Sequence, residues 1–214
     1  MTLHTTTTSP SPERTALGVF VGGRSSRMGG QPKGLLSVPG GDEPLVLHAL
    51  RAGVHAGLSA AWLVGDLAAY DAPVHVAQAA WPRYLLGRLT DDPPGVGPLG
   101  GLRALLAAAS EHRFEHVVVV ACDMPYVDGP LFAQLATHAS AAPVLAARRG
   151  PRAPWEPMLA RYRPEQVLPA LDATIASGAR SFQALFQQVS PERFDGPGVA
   201  AALDDWDHPS DVRR

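Results

Sequence analysis

A chain of 214 residues, 46% hydrophobic and 18% charged, has the composition of one globular domain with a sizeable core, and it holds no apolar run near the roughly eighteen residues of a membrane span. Its formal net charge of -2 gives no bulk attraction to nucleic acid, so affinity for phosphate must come from locally placed cations. The single cysteine, Cys122, excludes an internal disulfide and a multi-cysteine zinc site and points to a reducing, cytoplasmic setting.

Residues 1–14 are rich in Thr, Ser and Pro without an apolar core and read as a disordered tail ahead of a single domain over 15–214. A strand is expected from Leu17 to Val21. It runs into Gly22-Gly23-Arg24-Ser25-Ser26-Arg27-Met28-Gly29-Gly30-Gln31-Pro32-Lys33. Glycines let backbone N–H groups approach an anion with no Cβ in the way, and Arg and Lys supply neutralising charge, so this is the composition of a phosphate-handling loop. An ordinary surface turn has similar composition. Its position directly after a strand, where α/β sheets bind ligands, favours the phosphate loop.

Pro44 to Val54 has the spacing of a helix, with proline near its start. Ala60 to Gly65 reads as a second strand and Val74 to Ala77 as a short third. Residues Ala79 to Leu99 read as irregular, and Pro98 opens a helix over Leu99 to Ser110. Asp91 and Asp92 suit a solvated turn. They also precede a glycine-rich helix start, Gly97-Pro98-Leu99-Gly100-Gly101, whose free N–H groups and dipole suit close packing against a nucleotide.

His116 to Ala121 is a continuous apolar run, the pattern of a central parallel strand covered on both faces. It ends in Cys122-Asp123-Met124-Pro125. A lone carboxylate at that edge suits Mg²⁺ that substrate phosphates also hold; the competing role of helix cap falls better to Asp128. Cys122 reads as a small buried hydrophobe. Further on, Leu131 to His138 is expected to be helical and Pro143 to Ala147 extended. Arg148 to Arg152 is a basic loop, either solvated or meeting an acidic substrate. Helices follow over Pro164 to Ser177 and Arg180 to Gln188, then a strand over Val189 to Phe194. The acidic end, Asp204 to Asp211, is turn-like, with Pro209 opening a last helical turn. This alternation of strands and helices predicts an α/β domain.

Four blocks together carry a resemblance. Gly22-Gly23-Arg24-Ser25-Ser26-Arg27-Met28-Gly29 followed by Lys33, Gly97-Pro98-Leu99-Gly100-Gly101-Leu102, Cys122-Asp123-Met124-Pro125, and Asp205-Trp206-Asp207-His208-Pro209 resemble the molybdenum cofactor guanylyltransferase family, often called MobA, over about residues 17 to 212. The first block alone resembles nucleotidyltransferases acting on sugars, polyols and pterins in general; its combination with the next two is far more specific. The resemblance implies a single-domain three-layer α/β/α fold with a mostly parallel sheet, of the nucleotide-diphospho-sugar transferase type. It also implies transfer of GMP from GTP to molybdopterin with release of pyrophosphate. The backbone of Gly22 to Gly30 would cradle the triphosphate, with Val21, Gly22, Gly23 and Ser25 among the nucleotide-binding residues, and Arg27 and Lys33 would neutralise the leaving group. Asp123 would hold Mg²⁺, with Asp205 and Asp207 as weaker ligands. Asp91 would reach ribose, base or metal-bound water, while Gly97, Pro98, Leu99 and Gly101 pack against the nucleoside. The implied partners are GTP and molybdopterin, with transient contacts to other molybdenum cofactor biosynthesis proteins, a monomer or weak homo-oligomer, and neither nucleic acid nor membrane.

Two departures stand out. The family usually has Leu-Ala before the glycine pair and Asn-x-Asn-Thr-Pro near the end, where this chain has Phe20-Val21 and Asp205-Trp206-Asp207-His208-Pro209. Relatives that use CTP on the same pterin typically read Ala-Ala-Gly where this chain has Val21-Gly22-Gly23, and they lack the Gly-Pro-Leu-x-Gly block, which favours GTP here. The competing readings are a CTP-dependent pterin enzyme, a sugar- or polyol-phosphate nucleotidyltransferase, and, from a different class, a nucleotide-binding regulator without turnover.

Overall fold

The structure is a computed structural model and describes residues 10–22, 32–65, 68–204 and 206. Its strands are β1 (Thr15–Phe20), β2 (Ala60–Val64), β3 (Leu85–Leu89), β4 (His116–Ala121), β5 (Val144–Ala147), β6 (Glu156–Tyr162) and β7 (Glu192–Arg193). Its helices are α1 (Leu45–His55), α2 (Asp71–Ala80), α3 (Pro98–Glu111), α4 (Gly129–Thr137), α5 (Pro164–Ala176), α6 (Phe182–Val189) and α7 (Val199–Ala202). The strands form one sheet in the order β3-β2-β1-β4-β6-β5-β7. Among them β6 runs antiparallel to β4 and β5, and the other pairings are parallel.

The valine run of β4 is fully buried from Val117 to Val120, as its lack of alternation predicts for a strand covered on both faces. Successive side chains feed two separate cores. Leu17, Val19, Leu63, Val118 and Val120 pack with apolar residues of α1, α2, α4 and α7. Ala16, Phe20, Val64, Val117 and Val119 pack with α3, α5 and α6 on the opposite face. The result is the expected three-layer α/β/α sandwich. Leu102, Leu105 and Leu106 of α3 are fully buried, each contributing roughly 1.5–3 kcal/mol of transfer free energy.

Several expected elements change. Val74 to Ala77 lies inside α2, because Val74 and Ala77 share a buried face three residues apart while Val76 is exposed. The third strand is instead β3, within the stretch expected to be irregular. It sits at the sheet edge and is only partly covered, so its sequence carries little apolar pattern. Pro154 to Tyr162, with no element expected, supplies the antiparallel β6. The last strand shrinks to Glu192–Arg193, since Val189 ends α6 and Ser190 turns the chain through a left-handed conformation. Of the expected disordered stretch 1–14, Pro12–Arg14 forms a 3-10 turn, held by Thr15 Oγ1 donating to Ser11 O at 2.8 Å and by an Arg14–Glu115 ion pair. Residues 1–9 and the turn at Pro209 lie outside the described residues.

Away from the candidate site, Arg161 is fully buried and ties β6 to the end of α4. Its guanidinium donates to Leu135 O at 3.0 Å and His138 O at 2.7 Å, satisfying carbonyls that a helix C-terminus leaves unpaired. Burial lowers its pKa to about 10, so it stays charged at neutral pH.

Candidate active site

Parallel pairing brings the exits of four strands to one sheet edge. Val21 N donates to Val64 O at 3.0 Å, Gly65 N to Leu89 O at 2.8 Å and Cys122 N to Phe20 O at 2.9 Å, extending the ladders one step past β1, β2 and β4. Gly22, Gly65, Asp91 and Asp123 therefore follow neighbouring strands at their C-terminal ends, where doubly wound sheets hold ligands.

The best-defined contact there joins the ends of two sequence motifs. Lys33 opens a short 3-10 turn, Lys33–Leu35, and its Nζ donates to Asp123 Oδ2 at 2.7 Å. Each side chain is 17% exposed, so the pair is partly shielded and reachable. Its short length is that of a charge-assisted hydrogen bond.

Gly22 lies at the loop entrance, and a Cβ built there meets no described residue within 4 Å. Packing within the described protein does not require glycine at this position. Its other half, Gly23, Ser25 and Arg27, lies outside the described residues, and so do Asp205 and Asp207. Trp206, between the two aspartates in sequence, is buried, and its backbone N–H donates to Asp123 O at 3.0 Å.

Asp91 follows β3 and backs onto the start of α3. A Cβ on Gly100 would come within 3.0 Å of Asp91 Cβ and 2.8 Å of Pro93 O, and one on Gly101 within 3.3 Å of Asp91 Oδ1 and 2.8 Å of Val64 Cγ1. The two glycines thus let the helix close onto the carboxylate. Burial raises the Asp91 pKa. Gly97 precedes the helix at φ 70°, a conformation that suits glycine, and Pro98 takes the first helical turn. Leu99 is fully buried in the core beneath α3, and Val21 is buried in the opposite core.

Asp128, not Asp123, caps α4, its Oδ1 accepting from Leu131 N at 2.8 Å. Asp123 is left to Lys33 and to whatever ligand enters. Among the described residues no group of three or more His, Cys, Asp and Glu is placed to hold a metal. A single carboxylate with one oxygen on Lys33 fits Mg²⁺ held jointly with substrate phosphates rather than by a protein cage. Cys122 is buried, and burial pushes its thiol up to about 12, which removes it as a nucleophile.

Two arginines of the basic loop are engaged within the protein, while Arg152 is exposed. Arg148 lies 4.4 Å over the Trp155 ring and donates to Ala153 O at 2.5 Å, and Arg149 holds Leu203 O and, at 3.1 Å, Asp204. With Arg193, Asp195 and Leu203 they border a cavity of about 230 Å³. Sequence reasoning missed Tyr70, a buried tyrosine whose hydroxyl accepts from Gly34 N. A tyrosine between alanine and aspartate carries no periodic signal; only its closeness to the end of β2 marks it.

A doubly wound sheet with a glycine after its first strand and a lysine paired to a carboxylate at its C-terminal edge has the architecture of a nucleotide-handling α/β protein. The MobA-like NTP transferase domain family matches residues 18–192. A relative from Pseudomonas fluorescens strain SBW25, called molybdenum cofactor guanylyltransferase, is 33% identical over 195 residues, covering 91% of this chain and 88% of the relative. One of the same name from Pseudomonas putida strain GB-1 is 37% identical over 188 residues, covering 87% of each. The solved structure of molybdopterin-guanine dinucleotide biosynthesis protein A from Archaeoglobus fulgidus shares the fold with a TM-score of 0.67 at 19% identity, covering 92% of this chain and 95% of that one. A 4-diphosphocytidyl-2C-methyl-D-erythritol synthase from Anaerococcus prevotii reaches 0.70 at 9% identity, covering 95% and 96%. The chain belongs to the MobA-like NTP transferase family.

Proposed function

We propose that this protein transfers GMP from GTP to the terminal phosphate of molybdopterin and releases pyrophosphate. The observation that carries the reading is the Lys33–Asp123 pair at the C-terminal sheet edge, in a chain whose relatives bear the name molybdenum cofactor guanylyltransferase.

An oxygen of the acceptor phosphate bonds to the α-phosphorus of GTP. The bond from that phosphorus to the α,β-bridging oxygen breaks, and its electron pair leaves with pyrophosphate. Such transfers ask the protein for positioning and charge stabilisation rather than covalent chemistry. Lys33 sets a cation against the charge that builds on the leaving group. Gly22, Gly23 and Ser25 offer backbone N–H groups to the triphosphate, and Arg27 adds a second cation. Asp123 is the carboxylate that would hold Mg²⁺, which when bound screens the phosphate oxygens from the approaching anion. Asp205 and Asp207 are proposed as weaker ligands to the same ion. Asp91, Gly97 and Pro98 form the wall facing the nucleoside, with Asp91 as the polar contact, while the buried Leu99 and Gly101 support that wall from the core side. The Gly22-Gly23 pair and the Gly97-Pro98-Leu99-Gly100-Gly101 block support GTP over CTP. The lone, buried Cys122 supports a reducing cytoplasmic setting, where the pterin is received from other proteins of molybdenum cofactor biosynthesis.

The test is pyrophosphate release measured with GTP or CTP against molybdopterin and a panel of sugar and polyol phosphates. Release with GTP and molybdopterin is expected. Release with a sugar phosphate instead moves the protein to another acceptor, and nucleotide binding without release in any combination makes it a regulator.

A further inference from the structure

Tyr70 lies on the segment that leaves β2, yet its hydroxyl joins both halves of the site. It accepts from Gly34 N at 3.1 Å and lies 3.9 Å from Cys122 Sγ, where either atom can donate. Gly34 follows Lys33 directly, and Cys122 directly precedes Asp123. One phenol oxygen therefore touches the chain neighbours of both members of the ion pair. A tyrosine hydroxyl can accept and donate at once, which suits this bridging position.

The fit around it is close. Tyr70 is 1% exposed, and a Cβ on Gly34 would stand 2.9 Å from the Tyr70 hydroxyl and 3.1 Å from Cys122 Cβ. The bridge is a hydrogen-bonded clamp fixed by close packing. Phenylalanine would keep the ring and leave the buried Gly34 N–H without its acceptor, a defect that the turn relieves by moving.

We infer that Tyr70 is a positioning residue: its buried hydroxyl pins the Lys33–Leu35 turn against the exit of β4 and so fixes where the Lys33 ammonium stands beside Asp123. The inference rests on the proposed nucleotide site, with Lys33 as the group that meets the triphosphate. An effect routed through Lys33 must disappear when Lys33 is gone.

The experiment is a double-mutant cycle on the full chain, with GTP and magnesium titrated by calorimetry into wild type, Tyr70→Phe, Lys33→Ala and the double variant. Melting curves confirm that each is folded. Tyr70→Phe is expected to weaken binding about five- to tenfold in the wild-type background and to add nothing in the Lys33→Ala background. If Tyr70→Phe does not fold, Gly34→Ala, which drives the turn off the phenol, takes its place in the cycle. Wild-type affinity in Tyr70→Phe, or losses that multiply in the double variant, overturns the inference and leaves the nucleotide site standing. A wild-type protein that binds no nucleoside triphosphate overturns the site reading and Tyr70 with it.

Discussion

Lys33 Nζ stands 2.7 Å from Asp123 Oδ2, across ninety residues of sequence. The contact places the end of the glycine-rich loop on the carboxylate that leaves the central strand. Each side chain holds the other's charge in a partly covered setting, so removing one exposes the other to a poorly solvated position.

Lys33→Ala and Asp123→Asn are therefore expected to lower pyrophosphate release by about a hundredfold or more while the protein still melts cooperatively. Steady-state rates and melting curves check this together. Wild-type turnover in either variant would remove the pair from the chemistry.

Gly22 gives a prediction with opposite effects on fold and ligand. Since a Cβ there meets no described atom, Gly22→Ala should melt at the wild-type temperature without nucleotide. It should lose much of the stabilisation that GTP with magnesium confers, because that stabilisation grows with the logarithm of ligand concentration over Kd. A lowered melting temperature with unchanged GTP stabilisation would show that the glycine serves packing.

The two glycines of α3 behave differently. Gly100→Ala sets its methyl against Pro93 O and Asp91, and Gly101→Ala sets its methyl against Val64 and Asp91. Each is expected to cost roughly 1–3 kcal/mol of stability by overpacking. Each should also raise KM for GTP through displacement of Asp91. Denaturant unfolding and initial rates test the two effects separately; unchanged stability would mean that the helix can withdraw freely from Asp91.

The far edge of the sheet predicts a pH effect unrelated to catalysis. His116 is 1% exposed, neither ring nitrogen is hydrogen-bonded to a described residue, and burial together with the charges of Arg161, Arg163 and Arg14 holds its pKa down to about 3, from 6.5. Between those values the unfolded chain binds a proton that the native protein refuses, so stability falls as pH falls from 6.5 toward 3. The slope is about 1.4 kcal/mol per pH unit, or roughly 2 kcal/mol by pH 5. His116→Val should flatten this part of the stability curve. Equal acid sensitivity in both proteins would contradict it.

The sequence revealed what was strongly patterned. The valine run of β4, the Pro98 helix start and the Asp128 cap were legible because each rests on local chemistry. Val74 to Ala77 carries a strand-like signal inside α2 because β-branched residues also occur on helices, and four residues cannot separate a period of two from one of 3.6. β3 carries no clear signal because a half-exposed edge strand needs no apolar alternation. At the site, Lys33 and Asp123 were legible as motif ends, but their direct contact depends on the parallel pairing of β1 with β4. Tyr70 was invisible because its role lies in two long-range contacts to backbone and sulfur, and neither leaves a spacing in the chain.

The central claim is tested most directly by the mass of the pterin product after incubation with magnesium and equal concentrations of GTP and CTP. The account predicts molybdopterin extended by one GMP unit, with pyrophosphate formed in equal amount. A product carrying CMP, or unmodified pterin recovered while the protein binds GTP, would contradict it.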